Sequence, residues 1–220
     1  MFEETLIKGA NDSLAILGRS GILKDAYLAG GTAAALQIGH RISVDFDFFT
    51  PKEFAPKKFS TALSKLGSFD EDQADKGTVL GKFKGVSFSL FIYKYPLIFP
   101  AIKYLSLNMA DIRDIAAMKI DAIATRGAKR DFIDLYFMCQ FGYQLEQLLD
   151  IYDKKYENLA AKEIHIIKSL VYFEDAESDE MPRMLKEVDW EVVKRYFEAE
   201  VKRLGQGTTF HISLPIEKKN

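Results

Sequence analysis

Tyr27-Leu-Ala-Gly-Gly-Thr-Ala-Ala-Ala-Leu-Gln-Ile-Gly-His-Arg-Ile-Ser-Val-Asp-Phe-Asp-Phe-Phe-Thr50 reads as strand, glycine turn, helix and strand. Tyr27, Leu28 and Ala29 form a short apolar run suited to a buried strand. Gly30 and Gly31 break it. Thr32 is a good helix N-cap, Ala33 to Gln37 are strong helix formers, and Gly39 is a helix stop. Val44, Phe46 and Phe48 then alternate with Asp45 and Asp47. A period of two sends the carboxylates to one face of a strand and the three apolar side chains to the other.

Each part carries a chemical reading beside a plainer one. Glycines ahead of a helix let backbone N–H groups approach a phosphate, and the helix dipole favours the negative charge. A Gly-Gly pair between apolar runs also serves simply as a turn. Two carboxylates at i and i+2 can share a hard cation such as magnesium, with water and phosphate oxygens filling its shell. They can also form a solvated face. Aspartates are disfavoured in strands and repel each other, so a positive charge is expected between them.

Phe2 to Leu23 reads as a helix with a stripe of Leu6, Ala10, Leu14 and Leu17, ended by Gly21. Pro51 to Gly67 reads as another, with Pro56 suited to its first turn. Ser68 to Tyr95 reads as strands broken at Lys84-Gly85, with Pro96 and Pro100 closing the sheet region. From Asn108 the period is helical: Asp111 to Arg126, Arg130 to Gly142, Gln144 to Tyr156, Ala161 to Tyr172 and Trp190 to Leu204. Residues 174–180 are acidic and expected as an exposed loop. Thr208 to Leu214 is strand-like. The fold class is therefore α+β: a small mixed-sheet core over residues 1–105, then a mainly helical half over residues 106–220.

At 220 residues, 48% hydrophobic and 28% charged, the chain has the composition of a globular protein with a sizeable core. A formal charge of −2 excludes a strongly basic nucleic-acid footprint, though not a local basic patch. The single cysteine, Cys139, excludes a disulfide framework and points to a reducing, cytoplasmic compartment. Glu3 and Glu4 do not read as a secretion signal, and no run reaches the length of a membrane span. His40, His165 and His211 are scattered, which argues against a zinc site.

A second stretch, Ala116 to Tyr136, sets Lys119 among Ala116, Met118, Ile120 and Ala122. This lysine either snorkels to solvent or meets a triphosphate as a point charge. Arg126, Lys129 and Arg130 add positive charge at the turn that follows. Asp131 and Asp134 lie one helical turn apart and share a face. Asp131 either caps the helix or pairs with Lys119 or Arg130. A snorkelling or phosphate-facing lysine alike predicts that Lys119→Met leaves the fold as stable or more so. Only the second predicts a loss of activity.

Gly30-Gly31-Thr32 followed by Arg41-x-Ser43-x-Asp45-x-Asp47-Phe48-Phe49 resembles the first motif of AbiEii/AbiGii-type nucleotidyltransferase toxins, within the DNA polymerase β-like superfamily. Met118-Lys119 followed by Arg130-Asp131-x-x-Asp134-Leu135-Tyr136 is similar to the second. The resemblance implies a toxin of a type IV toxin–antitoxin or abortive-infection system. It implies transfer of a nucleotide from a nucleoside triphosphate to an acceptor such as RNA or tRNA, with a cognate antitoxin as partner. Asp45, Asp47, Lys119 and Asp131 would be catalytic, with magnesium on Asp45 and Asp47. Gly30, Gly31, Thr32, Arg41 and Ser43 would hold the nucleotide. One departure stands out: the strand from Val86 to Tyr93, where such enzymes commonly place a third carboxylate, carries Ser87 and Ser89 instead. The alternative reading is therefore a catalytically inactive nucleotide-binding module that acts through a protein partner.

Overall fold

The computed structural model describes residues 1–156 and 163–207. The strands are β1 (Tyr27–Ala29), β2 (Asp45–Thr50), β3 (Phe69–Asp75), β4 (Thr78–Phe83), β5 (Val86–Ile92), β6 (Ile102–Tyr104) and β7 (Leu107–Met109). The helices are α1 (Ala10–Ser20), α2 (Gly30–Ile38), α3 (Pro56–Leu66), α4 (Ile112–Arg126), α5 (Lys129–Gln140), α6 (Leu145–Lys155), α7 (Glu163–Ser169), α8 (Glu174–Glu177) and α9 (Trp190–Gly207). The strands form one mixed sheet in the order β3-β4-β5-β2-β1-β7-β6. β2 runs parallel to β5 and β1 parallel to β7, while the other neighbours are antiparallel. The α+β class expected from the pattern is the one observed.

Alternation along β2 decides which way the sheet faces. Phe46 and Phe48 are buried, stacked beside Phe88 and Leu90 of β5 in the parallel register. Asp45, Asp47 and Phe49 stand on the other face, level with Ser87, Ser89 and Phe91. α4 lies over that second face. It packs in turn on α2, α5 and α6, so the sheet and the helices share one continuous apolar core.

Several expectations are corrected. The first helix starts at Ala10, because Gly9 sits at φ +83° and breaks the run from Phe2; Glu3–Thr5 is a separate 3-10 turn. α2 begins at Gly30 with Ala29 as its N-cap, so Thr32 lies inside the helix. Val44 is 51% exposed and precedes β2, so it does not share the buried face of Phe46 and Phe48. The sheet does not close at Pro100. The β6–β7 hairpin adds two short strands, carries the sheet across residue 105, and turns on Leu105 and Ser106, both at positive φ. The acidic run from Glu174 contains α8, anchored by the buried Ala176. The strand-like run from Thr208 lies outside the described residues. No helix among the described residues is long and apolar enough to cross a membrane.

Candidate active site

A cleft of about 980 Å³ separates the Asp45–Asp47 face of the sheet from α4. Gly30, Gly31, Arg41, Ser43, Asp45, Asp47, Lys119 and Asp131 all line it. Eight of the nine residues singled out in the two motifs thus meet in one place, although the first motif ends at Phe49 and the second begins only at Met118. The ninth, Thr32, is buried beneath the cleft. Its Oγ1 lies 2.9 Å from Ser43 Oγ and also contacts the Asp45 carbonyl oxygen. Thr32 therefore ties the start of α2 to the entry of β2 from below.

Asp47 Oδ1 accepts a hydrogen bond from Ser89 Oγ at 2.8 Å, across the β2–β5 ladder. Ser89 is thus the β5 side chain that faces Asp47 across the ladder. Burial raises the Asp47 carboxyl above the ordinary aspartate range, the Ser89 hydroxyl opposes that rise, and the charge of Asp45 adds to it. Asp45 Oδ2 lies 4.0 Å from the Arg130 guanidinium at the start of α5. The donor chemistry suits a hard divalent cation. Two carboxylates stand one pleat repeat apart on a cleft wall, and such ions accept one or two carboxylates while substrate oxygens complete the shell. No third His, Cys, Asp or Glu joins them in a cluster among the described residues.

The two glycines have a local reason. Gly30 is at φ +64°, and a Cβ there would sit 2.4 Å from Asp47 Oδ2. A Cβ on Gly31 would sit 2.3 Å from an Arg41 guanidinium nitrogen. The turn is thus as bare as it is because two site side chains close over it.

Lys119 does not snorkel. It is 5% exposed, and its ammonium donates to Asp131 Oδ1 at 2.8 Å and pairs with Asp134 Oδ2 at 2.6 Å. Asp131 also receives Arg126 through Nε at 2.8 Å and a terminal nitrogen at 3.0 Å. Asp134, fully buried, accepts from Arg41 Nε at 2.6 Å, from the other arm of that guanidinium at 2.9 Å, and from His40 Nε2 at 2.7 Å. Burial alone would raise both carboxyls. The cations outweigh it, so Asp131 is held below and Asp134 well below the usual range. Burial pushes His40 the other way, toward the neutral ring. A neutral His40 gives its Nε2–H to Asp134, and its Nδ1 has no partner among the described residues. Lys119, Arg41 and Arg126 against two carboxylates leave this cluster net positive, facing the negative Asp45 and Asp47.

Spacing alone did not mark Asp134 as the hub, nor His40 as its third partner. The one available signal was the single-turn separation of Asp131 and Asp134 on an otherwise apolar face. Phe49, Phe91, Tyr93, Tyr156 and Asp121 also line the cleft and were not singled out.

A mixed sheet with paired carboxylates on β2 and a helix laid across them defines the class. JHP933 from Helicobacter pylori superposes with a TM-score of 0.52 at 17% identity, over 91% of this chain and 94% of its own. MenT4, a nucleotidyltransferase toxin from Mycobacterium tuberculosis, superposes with a TM-score of 0.54 at 13% identity, over 87% of this chain and 84% of its own. An uncharacterised Aquifex aeolicus protein, aq_aa25, is 42% identical over 187 residues, 83% of this chain and 89% of the relative. The profile of the nucleotidyl transferase AbiEii toxin of type IV toxin–antitoxin systems matches residues 88–206. The chain belongs to that family and is a nucleotidyltransferase. The matched segment holds Ser89, Lys119, Asp131 and Asp134, whereas Gly30 to Asp47 lie ahead of it.

Proposed function

We propose that this toxin-family enzyme transfers a nucleotide from a nucleoside triphosphate to an acceptor hydroxyl, with RNA, including tRNA, as the acceptor class. The observation that carries the reading is the convergence of Asp45, Asp47 and Lys119 on one cleft. In this scheme the acceptor oxygen bonds to the α-phosphorus, the bond to the bridging oxygen breaks, and pyrophosphate leaves with that electron pair. The hydroxyl proton passes to water.

Asp45 and Asp47 would hold magnesium, which when bound supplies positive charge to the phosphate oxygens. Gly30 and Gly31 at the start of α2 offer backbone N–H groups to phosphate. Lys119 spends two of its three N–H donors on Asp131 and Asp134. The third and the ammonium charge remain for phosphate charge developing in the transition state, where fixed charge contributes most to such reactions. Asp131 and Asp134 act as positioning residues that hold Lys119, Arg126 and Arg41 along the cleft wall. Arg41, Ser43 and Thr32 shape the nucleotide-facing turn. On this reading residues 1–105 provide the carboxylates and the glycine turn, and residues 106–220 complete the site with Lys119 and Asp131. A cognate antitoxin is the partner the type IV system implies.

A second reading is a nucleotide-binding module without turnover, favoured by Ser89, a hydroxyl and not a carboxylate, facing Asp47 from β5. Incubating the protein with radiolabelled nucleoside triphosphates and total RNA separates the two. Transfer of label by the wild type and its loss in Asp45→Asn and Asp47→Asn support the enzyme. Magnesium-dependent nucleotide binding with no transfer on any RNA supports the module.

A further inference from the structure

A strap from Asp179 to Lys186 ties the two sides of the cleft together. At one end the Lys129 amide donates to Asp179 Oδ2 at 3.0 Å, and the buried Lys129 ammonium reaches the Asp179 carbonyl oxygen. At the other end the Ile42 amide donates to the Arg183 carbonyl at 2.8 Å, and the Leu185 and Lys186 amides donate to the His40 carbonyl at 2.9 and 3.0 Å. Met184 pairs with Arg41 as an isolated antiparallel bridge. The strap is thus fastened to the start of α5 and to the segment that enters β2. Asp179 to Arg183 line the cleft between these anchors.

Two cations stand at the anchors with no part in the scheme above. Arg130 follows Lys129 on α5, lines the cleft and has a side chain 52% exposed. Its guanidinium lies 4.0 Å from Asp45 Oδ2, beyond hydrogen-bond reach. Arg183 is exposed and lines the same cleft, and its side chain has no partner among the described residues. By contrast, Arg126 and Arg41 spend their guanidiniums on Asp131 and Asp134. Glu180 lies between the two anchors on the strap and pairs with neither arginine among the described residues. Four residue steps separate Asp179 from Arg183, at most about 14 Å of backbone. Arg130 and Arg183 therefore start close enough for their guanidiniums to engage one phosphate or two successive ones. Each offers a planar fork of N–H donors that matches a phosphate bidentately.

Resting on the acceptor reading above, we infer that Arg130 and Arg183 form a clamp for the phosphodiester backbone of the acceptor RNA, beside the hydroxyl to be modified. The donor's phosphates have their partners deeper in the cleft, at Gly30, Gly31 and Lys119. Both arginines instead stand open to solvent, where a strand longer than the cavity must cross. The clamp also adjoins the reacting centre. Arg130 faces Asp45, and Ile42, which holds Arg183, lies three residues ahead of Asp45. A formal charge of −2 gives the chain no general attraction for RNA, so its phosphate contacts have to be local.

The test uses the full chain in magnesium as wild type, Arg130→Gln, Arg183→Gln and the double variant. Fluorescence anisotropy follows binding of a short labelled single-stranded RNA with a free terminal hydroxyl across a salt series. Calorimetric titration with inorganic tripolyphosphate reports the donor's phosphate site whatever the base. Each substitution should make the slope of log affinity against log salt shallower by about 0.7. The double variant should bind the RNA about ten-fold or more weakly at about 0.1 M salt. Tripolyphosphate affinity should move by no more than about five-fold, the scale of an exposed ion pair. An unchanged salt slope in the double variant overturns the clamp while leaving RNA as the acceptor. A tripolyphosphate affinity that falls as far as the RNA affinity also overturns it, and gives both arginines to the donor. Wild type that binds no RNA removes the acceptor class proposed above, and the clamp with it. Thermal melts of the variants confirm that they fold.

Discussion

Lys119 Nζ lies 2.6 Å from Asp134 Oδ2, and both side chains are almost wholly shielded from water. The pair sits where removing one partner strands the other in the interior. An apolar replacement of a solvated lysine is harmless, but here Lys119→Met leaves Asp131 leaning on Arg126 and Asp134 on Arg41 and His40. The variant should lose about 3 kcal/mol of stability, the lower end for breaking a buried ion pair, and its activity with it. Urea denaturation measures this. Adding Asp131→Asn should recover part of the loss, and a Lys119→Met protein that unfolds like wild type would refute the buried-pair account.

Ser89→Ala removes the hydroxyl that opposes the upward shift of Asp47. Metal binding needs the ionised carboxylate, so the pH midpoint of magnesium-dependent nucleotide binding should move up. Affinity at pH 7 should fall by about ten-fold, the scale of a hydrogen bond to a charged group. The linkage also predicts the apoprotein. A carboxyl raised by folding contributes stability below its unfolded value near 3.8 that is lost as pH rises through the folded value. Asp47→Asn should therefore raise the apo melting temperature at pH 7. A lower one would mean that the carboxylate is structural.

The two glycines should fail differently. In Gly30→Ala the new methyl meets the Asp47 carboxylate at a left-handed φ, so magnesium-dependent binding is expected to drop. In Gly31→Ala the methyl meets the Arg41 guanidinium, which Asp134 holds in place. There about 1–3 kcal/mol of stability should go. Parallel titration and denaturation curves check the split. Identical behaviour of the two would mean that the turn acts as a unit.

His40 gives the fold an acid sensitivity. Its folded value lies below the ordinary 6.5 because burial disfavours the imidazolium. The unfolded chain therefore binds the proton first as pH falls. Stability from this group is complete above pH 6.5 and declines as pH drops through the folded value. The slope is at most about 1.4 kcal/mol per pH unit. His40→Gln keeps a donor for Asp134 and should flatten the stability curve between neutral pH and pH 5. An unchanged curve would assign the acid loss to other groups.

Period and punctuation made much of this architecture readable. The alternation of β2, the Lys84-Gly85 hairpin and, over the described residues, the helical runs from Asp111 onward occur close to where the pattern put them, because each is set by near neighbours. The β6–β7 hairpin was not readable, since its strands are three residues long and its turn uses Leu105 and Ser106 in a conformation that usually selects glycine or asparagine. The environment of Lys119 was readable only in part: its pairing with Asp131 was among the alternatives, its burial against Asp134 was not. A lysine on an apolar helix face looks alike whether it reaches water or a buried carboxylate, and Asp134 gathers its partners from α4 and from Arg41, 93 residues away.

Arg41 and His40 belong to the segment leading into the sheet's central strand, Lys119 and Asp134 to the helices above it, and the bonds among them cross the seam. Rocking the helices away from the sheet would pull a fully shielded carboxylate from three of its four contacts at once. Such a seam resists hinging, so the cavity behaves as a fixed mould and not as a jaw. Substrates must enter and leave by its mouth. A protein inhibitor would silence the enzyme more readily by stoppering that opening than by prying the halves apart.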